Sequence, residues 1–455
     1  MVDHAAGTGR RMADVVSGLL PGLRDDLARL VAIPSISSPG FPEPRQPILD
    51  ACEMVCALLR GAGVQDVSTL DLPDTAPVIT GEIPAPDGAP TVLLYSHYDV
   101  VAAGDEALWS SPPFVATERD GAIFGRGAAD SKSNVIAHVG ALRAWGGRPP
   151  VGIKVLIEGQ EEVGGGGLTA YPPAHPEAFA ADAMVIGDMG SVRPGVPTLT
   201  VALRGMAMVT VELTTLGGAK HSGQFGGAAP DALIVLLQAL STLHDANGDV
   251  AVDGLRREEW TGESYSEDEF RELAEVLPGL PLQGSGDLGS RVWSGPAITV
   301  TGIDVPSVDD ALNAVSPRAR AKINLRVHPE QDAAEAQAAL VRHLESVRPF
   351  GIGLEVHAQE TGNGFAARTG GPAYRAARDA MQAAWGSPPV SAAGGGSIPL
   401  VNALQAAAPD AEMLLVGATD GYANIHAPDE RVLLDELEKA IVAEAEFFER
   451  FAATR

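Results

Sequence analysis

At roughly 150 residues per domain, a chain of 455 residues has a prior of about three domains, and it is long enough to bury a large core without a disulfide or metal staple. Its 32 Lys and Arg against 59 Asp and Glu leave a formal charge of −27, which repels phosphate backbones and anionic lipid heads and argues against nucleic-acid and membrane-surface partners. No apolar run approaches the ~18 residues that cross a bilayer, and Asp14 and Pro21 interrupt the stretch after Arg10 and Arg11, so no secretory leader is expected.

The first predicted helix covers residues 21–32, with Leu23, Leu27, Leu30 and Val31 on one side. It stops before Ile33-Pro34, because the residue before proline is pushed out of the α region. A second helical pattern runs over 46–59 and carries Cys52 and Cys56 on one face beside Leu58 and Leu59. That pair reads as two buried thiols in a reducing, cytoplasmic compartment. Short apolar runs at 91–95, 152–157 and 183–186 hold Val, Ile and Leu without alternation, as strands buried on both faces of a mostly parallel sheet do. Residues 133–144 supply a crossover helix. The pattern then changes. Residues 199–213 and 318–327 alternate like strands of a sheet with one wet face, helical stretches fall at 231–244 and 331–347, and 352–357 returns as a strand. From 372 the αβ pattern resumes and closes on an amphipathic helix over 432–451. The expected fold class is α/β: a mostly parallel central sheet flanked by helices (1–197 and 366–455), interrupted by an inserted α+β domain (198–365).

The acids and histidines fall at the ends of the buried strands. One run ends in Ser96-His97-Tyr98-Asp99, another in Glu158-Gly159-Gln160-Glu161-Glu162, a third in Gly187-Asp188. In open α/β sheets that carboxyl edge is where ligands bind. Asp130 comes after the turn Gly125-Arg126-Gly127-Ala128-Ala129, and His426 lies in the loop Gly421-Tyr422-Ala423-Asn424-Ile425 after the run 413–416. Taken singly, Asp130 reads as a helix cap, Glu161 and Glu162 as solvated charges, and His97 as a core histidine; His138, His244 and His343 stay structural, and Asp182 a surface residue. Convergence at one edge changes the balance, since packed carboxylates repel unless cations intervene. A His/Asp/Glu set without thiolate suits zinc, and also manganese or cobalt. Two apart in extended chain, His97 and Asp99 share a face, so Asp99 can accept the free ring N–H of a metal-bound His97. Extended geometry points Glu161 and Glu162 oppositely, leaving one free as a base.

In this order and spacing, these elements resemble the M20 metallopeptidases, which include carnosinase-like and other dipeptidases, glutamate carboxypeptidases, and acetylornithine and succinyl-diaminopimelate deacylases. The resemblance covers nearly the whole chain. It implies two divalent ions bridged by Asp130 and a water, one held by His97 and Asp188, the other by Glu162 and His426, with Glu161 as general base and Asp99 orienting His97. It implies that the insertion is a lid and dimerisation domain, whose His221 (in Gly217-Gly218-Ala219-Lys220-His221-Ser222-Gly223) reaches the partner subunit's active site. Asn313 and Arg326 fall where dipeptidase-like members hold substrate, and Gly395-Gly396-Ser397-Ile398-Pro399 resembles their substrate-binding turn; read without the resemblance, His221 is a loop histidine and Arg326 equally a structural salt bridge. The chain departs from the family pattern after Asp130, where an acidic or polar residue, Lys and Gly usually follow and Ser131-Lys132-Ser133 lacks the glycine. The implied reaction is hydrolysis of the amide bond of a small peptide by a cytoplasmic homodimer. Asp188 and the 395–399 turn favour the dipeptidase branch over an N-acyl-amino-acid deacylase or carboxypeptidase. A catalytically inactive metal-binding relative would be expected to lose the base first, and Glu161 is present. Phosphate binding lacks a G-x-x-x-x-G-K-[ST] string.

Overall fold

The non-alternating apolar runs become the interior of a sheet. A computed structural model describes residues 3–396 and 398–454. Strand Thr91–His97 lies between Gly152–Glu158 and Ala183–Gly187, and Glu412–Val416 lies on the far side of Ala183–Gly187, all four parallel. Val78–Ile83 and Gln65–Leu70 extend the sheet antiparallel beyond Gly152–Glu158. The register sets His97 opposite Glu158 and Tyr95 opposite Ile186, so His97, Glu158 and Asp188 arrive at one carboxyl edge.

Helix Lys132–Ala144 packs against Asp3–Val31 and Leu434–Ala452. The N-terminal helix runs through Pro21 rather than starting there. A mid-helix proline forfeits a backbone hydrogen bond, and the complete burial of Val16, Leu23, Leu27 and Leu30 on either side of it outweighs that loss. Cys52 and Cys56 are buried, free thiols on Gln46–Gly61. Described residues up to Val201, together with 367–392 and those from Pro399 onward, form one compact unit.

Residues 202–366 with 393–398 form the second. Its antiparallel sheet has the order Ala297–Asp304, Arg318–Val327, Gly205–Thr214, Glu355–Gly362, with helices Ala232–Leu240 and Ala333–Ser346 packed on it. Strand Arg318–Val327 buries Ala319, Ala321, Ile323 and Leu325 and exposes Arg318, Arg320 and Lys322, as its alternation requires. The single strand expected over 199–213 is two, Thr198–Leu203 and Gly205–Thr214. They part at Arg204, where Gly205 lies so close to the backbone of Gly362 and Gly364 that a Cβ would meet those atoms at 2.8–2.9 Å. Among the described residues no helix is long and apolar enough to cross a membrane.

Candidate metal centre

His97 ends its strand fully buried, with Nε2 3.0 Å from Asp130 Oδ1 and 3.1 Å from Asp188 Oδ1. The other oxygen of Asp130, Oδ2, is 3.2 Å from His426 Nε2, which lies 2.9 Å from Glu162 Oε2. Two imidazoles thus share one carboxylate, and each has a second acid of its own. A cation with ~2.0–2.1 Å arms in tetrahedral array sets its ligand atoms about 3.3 Å apart, close to these separations. His97, Asp130 and Glu162 form one group able to hold an ion, and His97, Glu161 and Asp188 another. Glu162 Oε1 is buried without a hydrogen-bond partner among the described residues, as a carboxylate aimed at a cation would be. The donor set fits divalent ions.

The cap reading of Asp130 fails. Ser131 occupies the N-cap of Lys132–Ala144 and no side chain caps it. Gly127 in the preceding turn has φ +82°, and a Cβ there would meet Val100 Cγ1 at 2.6 Å, so the turn needs glycine. The departure at Ser133 is accommodated: its hydroxyl donates to Ala129 O at 3.0 Å.

Asp99 works differently from the extended-chain expectation. The strand ends at His97 and the chain turns, so His97 Nδ1 faces both the backbone carbonyl of Asp99, at 3.1 Å, and its Oδ1, at 3.3 Å. The Asp99 carboxylate also accepts the backbone N–H groups of Glu161 and Glu162, each at 3.2 Å. One carboxylate therefore fixes the His97 ring and the glutamate turn together. Those glutamates sit in a 3₁₀ turn, Glu161–Val163, rather than in extended chain, and still part: Glu162 faces His426 and Glu161 groups with Asp188.

The electrostatics are those of acids crowded around two imidazoles. Burial opposes charge on His97, yet Asp188, Asp130 and Asp99 hold its pKa well above the ordinary value. Asp130 and Glu162 raise His426 to about 10. Burial, then the charge of Asp188, pushes Glu161 up to about 9. Burial also takes Asp188 to about 6 although His97 lowers it. Asp130 goes the other way: burial would raise it, but hydrogen bonds from His426 and His97 bring it down.

Sequence reasoning missed several participants. Glu430 is fully buried and accepts from the backbone N–H of Ala129 and Asp130, at 2.9 and 3.0 Å. Lys132 is buried with Nζ donating to Leu30 O and Ile33 O at 2.9 and 2.8 Å, and burial lowers its pKa to about 7. Glu158 accepts from Tyr95 Oη at 2.7 Å, and burial, then the charge of Asp99, raises its pKa to about 8. His138 has acidic company after all: Nδ1 lies 2.8 Å from Glu444 Oε2 and Nε2 3.0 Å from Tyr95 O. Asp182 is not a bare surface acid, since it accepts from Thr91 N at 2.7 Å. Only Glu158 carried a usable signal, its place at the end of a buried strand.

Of the remaining expected residues, His221, Asn313 and Arg326 lie in the second unit. His221 and Asn313 are exposed neighbours: Lys220–His221 pairs with Ala314–Val315, and Asn313 O accepts from Ser222 N at 2.9 Å. Arg326 is half-buried on Arg318–Val327. Ser397 lies outside the described residues.

Residues 93–450 match the sequence profile of peptidase family M20/M25/M40. The chain is 42% identical to the cysteinylglycine-S-conjugate dipeptidase of Corynebacterium striatum over 405 residues, 88% of this chain and 89% of that one. It is 28% identical to the beta-Ala-His dipeptidase of Rattus norvegicus, over 89% of this chain and 88% of the other. The solved structure of the di-peptidase Dug1p from Saccharomyces cerevisiae superposes with a TM-score of 0.80 over 98% of both chains at 22% identity, a likeness of fold.

Proposed function

The chain belongs to peptidase family M20/M25/M40 and is a metallopeptidase, and from that premise we propose that it is a dipeptidase whose two divalent cations share Asp130. The observation that carries this reading is the sharing itself, one carboxylate with an imidazole at each oxygen. His97 and Asp188 complete one site, Glu162 and His426 the other. Zinc suits this donor set first, with manganese or cobalt next. When bound, such a pair acidifies water and stabilises an oxyanion.

The chain's own residues supply the rest. Glu161 takes the proton from the attacking water and returns it to the leaving amine; cations beside it would offset the burial and the Asp188 charge that otherwise favour its protonated form. Asp99 keeps the His97 proton on Nδ1, which turns the Nε2 lone pair inward. Arg326 pairs with the substrate's terminal carboxylate, Asn313 and Ser397 hold its polar groups, and His221 of the partner subunit donates to the developing charge. The second unit is the lid and the dimer interface, a role supported by the exposed apolar side chains Val300, Ile303, Val305, Val308 and Leu312 along and beyond its edge strand. The names of the relatives support a dipeptide substrate, and free Cys52 and Cys56 agree with a cytoplasmic location.

The test is chelation and then reconstitution. Stripped protein should lose hydrolysis of a dipeptide panel that includes Cys-Gly conjugates and β-Ala-His, and regain it with two equivalents of zinc, manganese or cobalt. Full activity without metal, or a preference for N-acetyl amino acids over every dipeptide, would overturn the reading.

A further inference from the structure

The loop that brings His426 to the cluster is held in an uncommon shape. Asn424, His426 and Asp429 have φ of 54°, 62° and 59°, left-handed values that cost a residue with a side chain free energy and persist only where surrounding contacts enforce them. Ser110 N and Oγ donate to Asp429 at one end of the loop, and the next residue is a buried acid that ties the loop to the Asp130 turn. Glu430 takes the backbone N–H groups of Ala129 and Asp130 on Oε1, and Arg126 Nη1 on Oε2. Its own carbonyl accepts from Gly125 N at 2.9 Å, and Arg126 Nη2 reaches Ala427 O at 3.4 Å. The Glu430 side chain is fully buried and Arg126 is 1% exposed, so the pair is shielded from water and salt. It stitches residues 125–130, which carry the shared carboxylate, to residues 426–430, which carry the more exposed imidazole.

We propose that Glu430 is a positioning residue for the second cation site: it sets the distance between Asp130 and His426 before any ion arrives, and so governs the affinity of that site without ligating. His97 and Asp188 are held independently, by the parallel strands that deliver them and by Asp99. Asp130 serves both sites, but its contact with His97 lies against these fixed strands whereas His426 rests on the loop that Glu430 ties down, so the loss of Glu430 falls chiefly on the second site. This inference rests on the two-cation reading.

The experiment uses the purified full chain, stripped by chelation and titrated with Co²⁺ alone, read by calorimetry and by visible absorption. Wild-type protein is expected to take two equivalents. In Glu430→Gln the first equivalent should bind as in wild type and the second about 10–100-fold more weakly, the range seen when a group supporting a metal ligand is lost. If that variant does not fold, as judged by circular dichroism, Arg126→Gln removes the partner of Glu430 and should give the same split. Two wild-type equivalents with both unchanged in the variant, or both weakened alike as a general loss of structure would produce, overturns the inference and leaves the two-cation reading intact. A single equivalent in wild-type protein overturns both.

Discussion

Glu161 and Glu162 are adjacent, yet the turn that holds them aims them at different groups, and the proposed mechanism gives them different work. Glu161→Ala should cut turnover about 10²–10⁴-fold while elemental analysis finds metal content unchanged, whereas Glu162→Ala should lose metal. An active Glu161→Ala enzyme would remove the base from the mechanism. The histidines add a second expectation. Without cations the acids around them hold His97 and His426 above their ordinary value of 6.5, His426 at about 10, which favours the doubly protonated ring on both. Metal must displace those protons. Zinc uptake at pH 7 should release on the order of two protons per chain, and its apparent affinity should climb as pH rises towards 10, both measurable by calorimetry in buffers of different ionisation heat. Uptake without proton release would contradict the geometry. The cluster was legible in the sequence because each member stands at a strand end or in a Gly-rich turn, where periodicity shows the chain emerging from the core. Glu430, Lys132 and Arg126 were not, because their partners, backbone groups and in the Arg126–Glu430 pair each other, lie in segments distant in sequence, and a charged residue looks the same in sequence whether it faces water or a buried partner.

Among elements, the contact between Lys132–Ala144 and Leu434–Ala452 contains the buried His138–Glu444 pair. Burial works against the His138 charge, but Glu444 raises its pKa above 6.5 in the folded protein. A group raised on folding contributes fully below its unfolded value and loses that contribution as pH climbs through the folded one. Glu444→Gln should therefore cost about 1.5–3 kcal/mol at pH 6, as hydrogen bonds to charged groups do, and much less at pH 9, in paired denaturant titrations. A cost that does not change with pH would mean that His138 is neutral throughout. Elements were legible where hydrophobic period and burial coincide, as in Thr91–His97 or Arg318–Val327. The break at Arg204 was hidden because apolar alternation continues through it. The strand expected over 352–357 lies at Glu355–Gly362, most of it exposed, so hydropathy offers little to mark its bounds.

For the whole molecule, the switch from non-alternating to alternating strands announced an insertion. The return of residues 393–398 to the second unit was not foreseeable, since a Gly-rich string carries no period. In the proposed dimer two copies each bearing −27 repel, so their association would need apolar area to offset the charge and should tighten with salt as the repulsion is screened. Val308 and Leu312 are 93% and 83% exposed. Replacing both by Asp should give a monomer by light scattering with metal content retained; an unaltered dimer would move the interface elsewhere. A last consequence comes from the unequal cover of the two imidazoles, His97 with none of its side chain in solvent and His426 with 53%. Ions seated beside them should turn over at different speeds, with isotopically labelled zinc equilibrating quickly at the open seat and slowly at the closed one. A brief soak in a second metal should then yield a hybrid enzyme, one original ion retained and one replaced.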